Sequence, residues 1–159
     1  MSNAWDNVKY DVIRVGRWFP NFWAGNVGAC SIMRWTFVYK KRWDDMHPAS
    51  RYALYQHELV HKRQQKWLTF PLFFIRYVTN YRRWRARYEI EAFVVQIYYK
   101  LVVGKRPYSL EHEAEWMSEF LASWIYLKPA PQQWIYEQIL VVYYRSLESG
   151  GIFRLLSKG

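Results

Sequence analysis

The most constraining feature of this sequence is residues 49–68, a run that contains neither glycine nor proline. It is rich in Ala, Leu, Gln, Lys, Arg and Glu, which favour a helix. Pro48 suits the first turn of that helix, because its fixed φ angle fits this position and its missing N–H would have no helical partner there. The run also holds His57 and His61. On a helix, this i, i+4 spacing places both imidazoles on one face, about one turn apart.

The residues around these histidines indicate metal chemistry. Two imidazoles one turn apart can bind a single Zn²⁺, and Glu58, directly after the first histidine, can take a proton from a bound water. A second stripe, formed by Tyr52, Tyr55 and Leu59, is available to pack on a core. The alternative interpretation is an ordinary helix that carries two exposed histidines. A catalytic zinc site needs three protein ligands, so the sequence has to supply one more.

The third ligand has to come from another segment, because the next histidine after His61 is His112. Glu89 and Glu91 are the candidates, and both lie in residues 88–103, which are predicted to form a helix. Their side chains point about 200° apart on a helix, so only one of them can face the metal. Helix geometry leaves the choice open, since Glu91 lies nearer the apolar stripe and Glu89 shares a more polar side.

These motifs resemble those of the gluzincins, a class of zinc metallopeptidases, and in particular their small bacterial and phage members. The resemblance covers roughly residues 30–100, where His-Glu-Leu-Val-His is followed about thirty residues later by Glu-x-Glu-Ala. It implies that Glu89 is the third ligand and that Ala92 is the small residue that lets the two helices approach. Phe93 stands where the family has an aspartate that orients the first histidine, so the chain departs from the pattern there.

The resemblance also implies a mechanism. Zn²⁺ held by His57, His61 and Glu89 would activate a water molecule. Glu58 would act as the general base for the attack of that water on a peptide bond. The strand over residues 32–39 would pair with an extended substrate. The implied protein is a zinc-dependent metallopeptidase that acts on peptides or proteins.

The remaining pattern predicts an α+β fold in one zincin-like domain, residues 1–159. Residues 9–18 and 29–40 are β-prone and partly alternating, and the Gly- and Asn-containing link between them allows a small antiparallel sheet. A helical bundle is expected to follow. Its segments are 49–68, 72–85 after a stop or kink at Pro71, 88–103, a helix capped by Ser109, and a last helix from about Pro131 to Glu148. In this division 9–40 is the β-rich part, 48–103 holds the metal-site helices, and 109–148 holds additional C-terminal helices.

The composition indicates the cellular compartment in which the protein is expected. Cys30 is the single cysteine, so no internal disulfide points to an oxidising compartment. No run is long and apolar enough to span a bilayer, and the N-terminus lacks the layout of a signal peptide. We therefore expect a cytoplasmic protein, or a part of a virion or another assembly.

Charge and aromatic content keep two other functions open. The net charge is +10, with basic runs at 40–42 and 82–87, and these can bind a polyanion or an acidic partner protein or form a solvated face. One alternative is therefore a basic protein that binds nucleic acid or a membrane surface. The other is a structural or phage-virion assembly protein that retains the fold without activity, which the aromatic content of 21% and the departure at Phe93 favour.

Overall fold

The computed structural model describes residues 8–16, 29–32, 34–67, 71, 75, 81–103, 108–123 and 130–150. Within them the chain forms a three-stranded sheet followed by five α-helices, which confirms the predicted α+β fold class. The strands are β1 (Ile13–Val15), β2 (Ala29–Ile32) and β3 (Trp35–Tyr39). The helices are α1 (Lys40–Asp45), α2 (Pro48–Trp67), α3 (Tyr81–Tyr98, continued by a π-helical turn over Tyr99–Val103), α4 (Leu110–Ala122) and α5 (Gln132–Glu148).

The sheet is mixed, and it differs from the predicted antiparallel one. Residues 29–40 do not form one strand, because they contain β2, β3 and the reversal that pairs these strands antiparallel. β1 lies on the other side of β3 and runs parallel to it, with Ile13 opposite Phe37. The predicted antiparallel pairing of residues 9–18 with 29–40 is therefore wrong. An alternating pattern has the same period on both sides of a reversal, and here no Gly, Pro or Asn marks the turn.

A first hydrophobic core lies between the sheet and the start of α2. Ala29 of β2 and Val38 of β3 are buried together with Trp43 of α1 and Leu54 of α2. Val38, on the central strand, is fully buried. This core holds α2 against the sheet.

The two long helices differ in how well the sequence predicts them. α2 begins at Pro48 and ends at Trp67, which confirms the predicted helix. The segment 72–85 lies mostly outside the described residues, and its last part belongs to α3. The predicted separation of 72–85 from the helix over 88–103 is wrong, because α3 runs without a break from Tyr81 to Tyr98. The sequence changes there from arginine-rich to apolar, but no residue at the change disfavours a helix.

Apolar side chains of α3 belong to two separate clusters. The larger cluster joins Ile97 of α3 to Met117 of α4 and Ile139 of α5. The smaller one joins Ala92 of α3 to Val60 of α2. A helix with apolar residues on more than one face has to be covered on more than one face. α2 and the C-terminal helices therefore both pack on α3.

The C-terminal helices begin with the residues that the sequence predicts. The Ser109 hydroxyl accepts a hydrogen bond from the backbone N–H of His112 at 3.2 Å, which confirms Ser109 as the N-cap of α4. Pro131 occupies the N-cap position of α5, one residue before the first helical residue. Among the described helices, none is long and apolar enough to cross a membrane.

A largely buried ion pair links the π-helical turn to α4. Lys100 Nζ donates to Glu113 Oε2 at 2.8 Å, and the same ammonium group lies 5.2 Å from the centre of the Trp116 ring. Both charged side chains are mostly shielded from water. Because each charge is compensated by the other, the loss of one would leave the other in a poorly solvated position.

We expect Glu113→Ala to lower the free energy of unfolding by about 3 kcal/mol, because it leaves the buried ammonium group of Lys100 without its carboxylate. The double variant Lys100→Met, Glu113→Leu should recover most of that loss, since apolar side chains then fill the same space. Urea unfolding measures both variants. A Glu113→Ala protein that unfolds at the same urea concentration as the wild type would contradict a stabilising role for the pair.

Candidate metal centre

α2 presents two histidines to α3. His57 is buried and His61 is partly buried, and their rings lie edge to face with centroids 4.7 Å apart. The Nε2 atoms of the two rings are 3.0 Å apart. Helical spacing places the rings on one face, as predicted, and the packing of α2 turns that face inward. The alternative of two exposed histidines is therefore wrong.

Glu89 of α3 is the carboxylate that reaches the two histidines. Its Oε2 lies 3.4 Å from His61 Nε2 and 3.7 Å from His57 Nε2. Glu91 instead accepts a hydrogen bond from Gln64 Nε2 at 3.1 Å. In the described part of the chain, His57, His61 and Glu89 form the cluster that could hold a metal ion. This buried triad is consistent with a zincin-like site of the HExxH-plus-glutamate kind.

The spacing of the three ligand atoms suits a tetrahedral metal ion. Zn²⁺ binds nitrogen and oxygen at about 2.0–2.2 Å, so a tetrahedral ion separates its ligand atoms by about 3.3–3.6 Å. The observed separations of 3.0, 3.4 and 3.7 Å bracket this range. A circle through the three atoms has a radius of about 2.0 Å, close to one zinc–nitrogen bond. Two imidazoles and one carboxylate would also leave a fourth position on such an ion for water or another ligand.

The electrostatics of the triad favour a positive charge between its side chains. Burial lowers the pKa of His57, and the neighbouring His61 lowers it further. Burial also opposes the charged form of His61, but Glu89 outweighs this effect and the pKa of His61 is raised. Burial by itself would raise the pKa of Glu89, but the histidines, His61 above all, reverse the effect and lower that pKa. The ionised Glu89 carboxylate therefore stabilises a positive charge beside it, and in the metal-free protein His61 carries that charge.

Glu58 lies beside the triad and close to strand β2. Burial raises the pKa of Glu58 to about 7, an effect that His61 and the Ser31 side chain oppose. Among the described residues, Glu58 Oε2 has no hydrogen-bond partner. A buried carboxylate with an unsatisfied oxygen is costly to keep in the folded state. A pKa near neutrality is the property that general acid–base chemistry requires.

Hydrogen bonds set the ring orientation of His61. Its Nδ1 donates to Gln64 Oε1 at 2.8 Å. Gln64 Nε2 in turn donates to the Tyr88 carbonyl at 3.0 Å and to Glu91. Sequence reasoning missed the role of Gln64, although its position three residues after His61 places it on the same face of α2. The sequence does not indicate that Gln64 contacts Tyr88 and Glu91 of α3, because this contact depends on how the two helices pack.

His57 is held in a different way. The ring of Phe93 lies against it, with centroids 4.8 Å apart. The Ala92 carbonyl and the Gln96 side chain both act to raise the pKa of His57. Neither makes a hydrogen bond of good geometry, because His57 Nδ1 and Gln96 Oε1 have no such partner among the described residues. At the position where the sequence resemblance implies an aspartate, Phe93 thus contributes ring packing instead of a carboxylate.

The strand beside the site is not the predicted one. β3 contains most of residues 32–39 and is the central strand, with β1 on one side and β2 on the other. A strand with neighbours on both sides cannot add a substrate strand, so the expectation for residues 32–39 is wrong. β2 lies against α2 instead, where Gln65 Nε2 donates to the Ser31 carbonyl at 2.8 Å.

The other two histidines take no part in the triad. His112 is exposed and its ring stacks on Tyr108, with centroids 5.2 Å apart. His47 is exposed before α2, and its Nδ1 accepts a hydrogen bond from the N–H of Ala49 at 3.3 Å. Each of these two histidines contacts a residue close to it in the sequence.

The chain matches no protein-family model, no curated protein and no solved structure. The inference of function therefore rests on the geometry and chemistry of this site.

We expect Glu58→Gln to stabilise the protein in the presence of a metal chelator. Burial raises the pKa of the Glu58 carboxyl from 4.5 to about 7, so the folded state loses stability as the pH rises through this interval. Glutamine carries no such charge. At pH 8 the variant should gain on the order of 2–3 kcal/mol in the free energy of unfolding, and at about pH 4 it should gain almost nothing. Urea unfolding at the two pH values measures the difference, and equal stabilities at pH 8 would argue against a buried ionised Glu58.

Proposed function

We propose that this protein is a zinc-dependent metallopeptidase of the gluzincin type. The observation that carries the proposal is the convergence of His57 Nε2, His61 Nε2 and Glu89 Oε2, which lie 3.0 to 3.7 Å from one another. These residues would hold Zn²⁺, and Glu58 would be the general base. Two imidazoles, one carboxylate and an open fourth position are the donor set of known zinc hydrolases.

The chemistry of the proposed reaction divides between the metal and Glu58. Zinc, when bound, supplies a Lewis acid that acidifies water and polarises a carbonyl group. Glu58 accepts a proton from the water that attacks the peptide carbonyl carbon. It then donates that proton to the amine as the carbon–nitrogen bond breaks, so one water is consumed and one acid and one amine are released. A carboxyl group with a pKa of about 7 can take both roles near neutral pH.

The position of β2 supports a peptide as the substrate. In the described part of the chain, β2 is an edge strand of the sheet. The side chain of its Ser31 is close enough to Glu58 to lower the pKa of that carboxyl. An extended peptide that adds to β2 by backbone hydrogen bonds would therefore run past the general base.

The burial of the site favours a second candidate function. His57, Glu58 and Glu89 are exposed by only 5, 3 and 5%. A peptide would reach such groups only after part of the chain moves. A metal ion at this position would also cross-link α2 to α3 and stabilise the fold, which suits a structural or assembly protein, such as a virion component, without activity.

The variants of the four site residues separate these candidates. The purified protein should contain about one zinc ion per chain, and His57→Ala, His61→Ala and Glu89→Gln should each lose it. Glu58→Gln should keep both the metal and the fold, but it should hydrolyse a labelled unfolded protein roughly 10²–10⁴-fold more slowly. Metal analysis and the cleavage assay give the two readouts.

Glu91→Gln is the matched control for Glu89→Gln. It makes the same change on the same helix, and a glutamine at this position can still accept the hydrogen bond from Gln64. The control should retain zinc, whereas zinc lost from Glu91→Gln and kept by Glu89→Gln would reverse the assignment of the ligand.

Removing zinc from the wild type decides between catalysis and structure. A bound metal whose removal sharply lowers the unfolding temperature, in a protein that cleaves no peptide, would support the structural candidate. Cleavage that is lost with the metal, is restored by zinc and is absent in Glu58→Gln would support the peptidase.

A further inference from the structure

Gln64 makes three polar contacts, and only one orientation of its side-chain amide satisfies all three. Its Nε2 lies 3.0 Å from the Tyr88 carbonyl oxygen and 3.1 Å from Glu91 Oε2. Both of these oxygens are acceptors. Rotating the amide by half a turn would bring its own oxygen against the two acceptors. Nε2 therefore donates both hydrogens on this side, and Oε1 faces His61.

This orientation decides which nitrogen of His61 carries a hydrogen. Gln64 Oε1 can only accept, so His61 Nδ1, 2.8 Å away, has to donate. A neutral imidazole has a single N–H, so its lone pair is then on Nε2. Nε2 is the atom that faces His57 and Glu89. Gln64 thus selects the tautomer that can bind a metal at the triad.

We propose that Gln64 is a positioning residue for the candidate metal centre and that Glu91 holds Gln64 in place. The inference rests on the proposed metal site and adds the residues that orient it. Glu91, one of the two candidate ligands in the sequence, acts on His61 Nδ1 through two hydrogen bonds, by way of Gln64, rather than as a ligand. Since His57 is held by the Phe93 ring, His61 is the ligand whose ring angle depends on hydrogen bonds.

An amide in this position acts on the histidine differently from a carboxylate. A carboxylate partner raises the basicity of a ligating imidazole as well as orienting it. The neutral amide of Gln64 orients His61 without placing another negative charge beside it. The carboxylate of Glu91 stays one hydrogen bond further out, where it fixes the amide.

Removal of the Gln64 side chain should weaken zinc binding about 10–100-fold, because His61 is then free to turn and to carry its hydrogen on Nε2. Competition with a chelating dye measures the affinity. The visible absorption spectrum of the Co²⁺-substituted protein should change as well, since it reports ligand geometry. Glu91→Ala should cause a smaller loss in the same direction. Glu91→Gln keeps an acceptor and should stay within about threefold of the wild type.

Gln65→Ala is the matched control for Gln64→Ala. Gln65 is the adjacent residue of the same type, and its Nε2 also donates to a backbone carbonyl of a neighbouring element, that of Ser31. Its removal should lower stability, yet leave the zinc affinity within about threefold and the cobalt spectrum unchanged. A Gln64→Ala protein that loses no more affinity than Gln65→Ala would overturn the positioning role.

The tautomer of His61 separates this inference from the proposed function. In the metal-free wild type at a pH above the raised pKa of His61, where its imidazole is neutral, proton–nitrogen correlation spectra should show the single ring hydrogen on His61 Nδ1, because Gln64 accepts a hydrogen bond from that atom with or without metal. A His61 Nδ1 that lacks this hydrogen would overturn the inference even if zinc binds. A hydrogen on Nδ1 in a protein that binds no zinc would support the role of Gln64 and refute the proposed function.

Discussion

The close approach of α2 and α3 brings the three residues of the candidate metal centre together. Ala92 is fully buried in the interface and packs with Val60. A small side chain at this point lets the helices come near enough for Glu89 to reach His61 across the interface. Burying imidazole and carboxylate groups is unfavourable unless they are paired with one another or with a metal. The folded state has to offset the free-energy cost of burying this polar cluster. The apolar packing between α2 and α3 contributes the stability that does so.

The C-terminal helices contribute to the site without providing a ligand. They lie outside the segments that carry the triad, yet Met117 of α4 and Ile139 of α5 are fully buried against α3. The ion pair of Lys100 and Glu113 adds a polar link between α3's π-helical turn and α4. α3 is thus held from two sides, and this fixes its rotation about its own axis. That rotation decides which of its carboxylates faces the histidines.

The two histidines are positioned by unlike means, and this affects the chemistry of the site. His61 is oriented through Gln64, a neutral hydrogen-bond partner, while His57 is held by contact with the Phe93 ring. Neither arrangement adds the carboxylate that raises ligand basicity in many metal sites. Glu58, meanwhile, is kept in a buried position that raises its pKa. A stable core thus supports a set of groups that are individually costly to bury.

Features that depend on neighbours along the chain could be predicted from the amino-acid sequence. The spacing of His57 and His61 on a run without Gly or Pro places them on one helical face, and Ser109 marks the start of α4 through its own hydroxyl group. Three features could not be predicted in this way, because they depend on tertiary contacts: the direction of β1, the division of residues 29–40 into two strands and the continuity of α3. The same holds for which carboxylate of α3 faces the histidines and for the hydrogen bond between Gln64 and His61. These depend on contacts between residues far apart in the sequence, and a local periodicity defines the faces of a helix without saying what each face will meet.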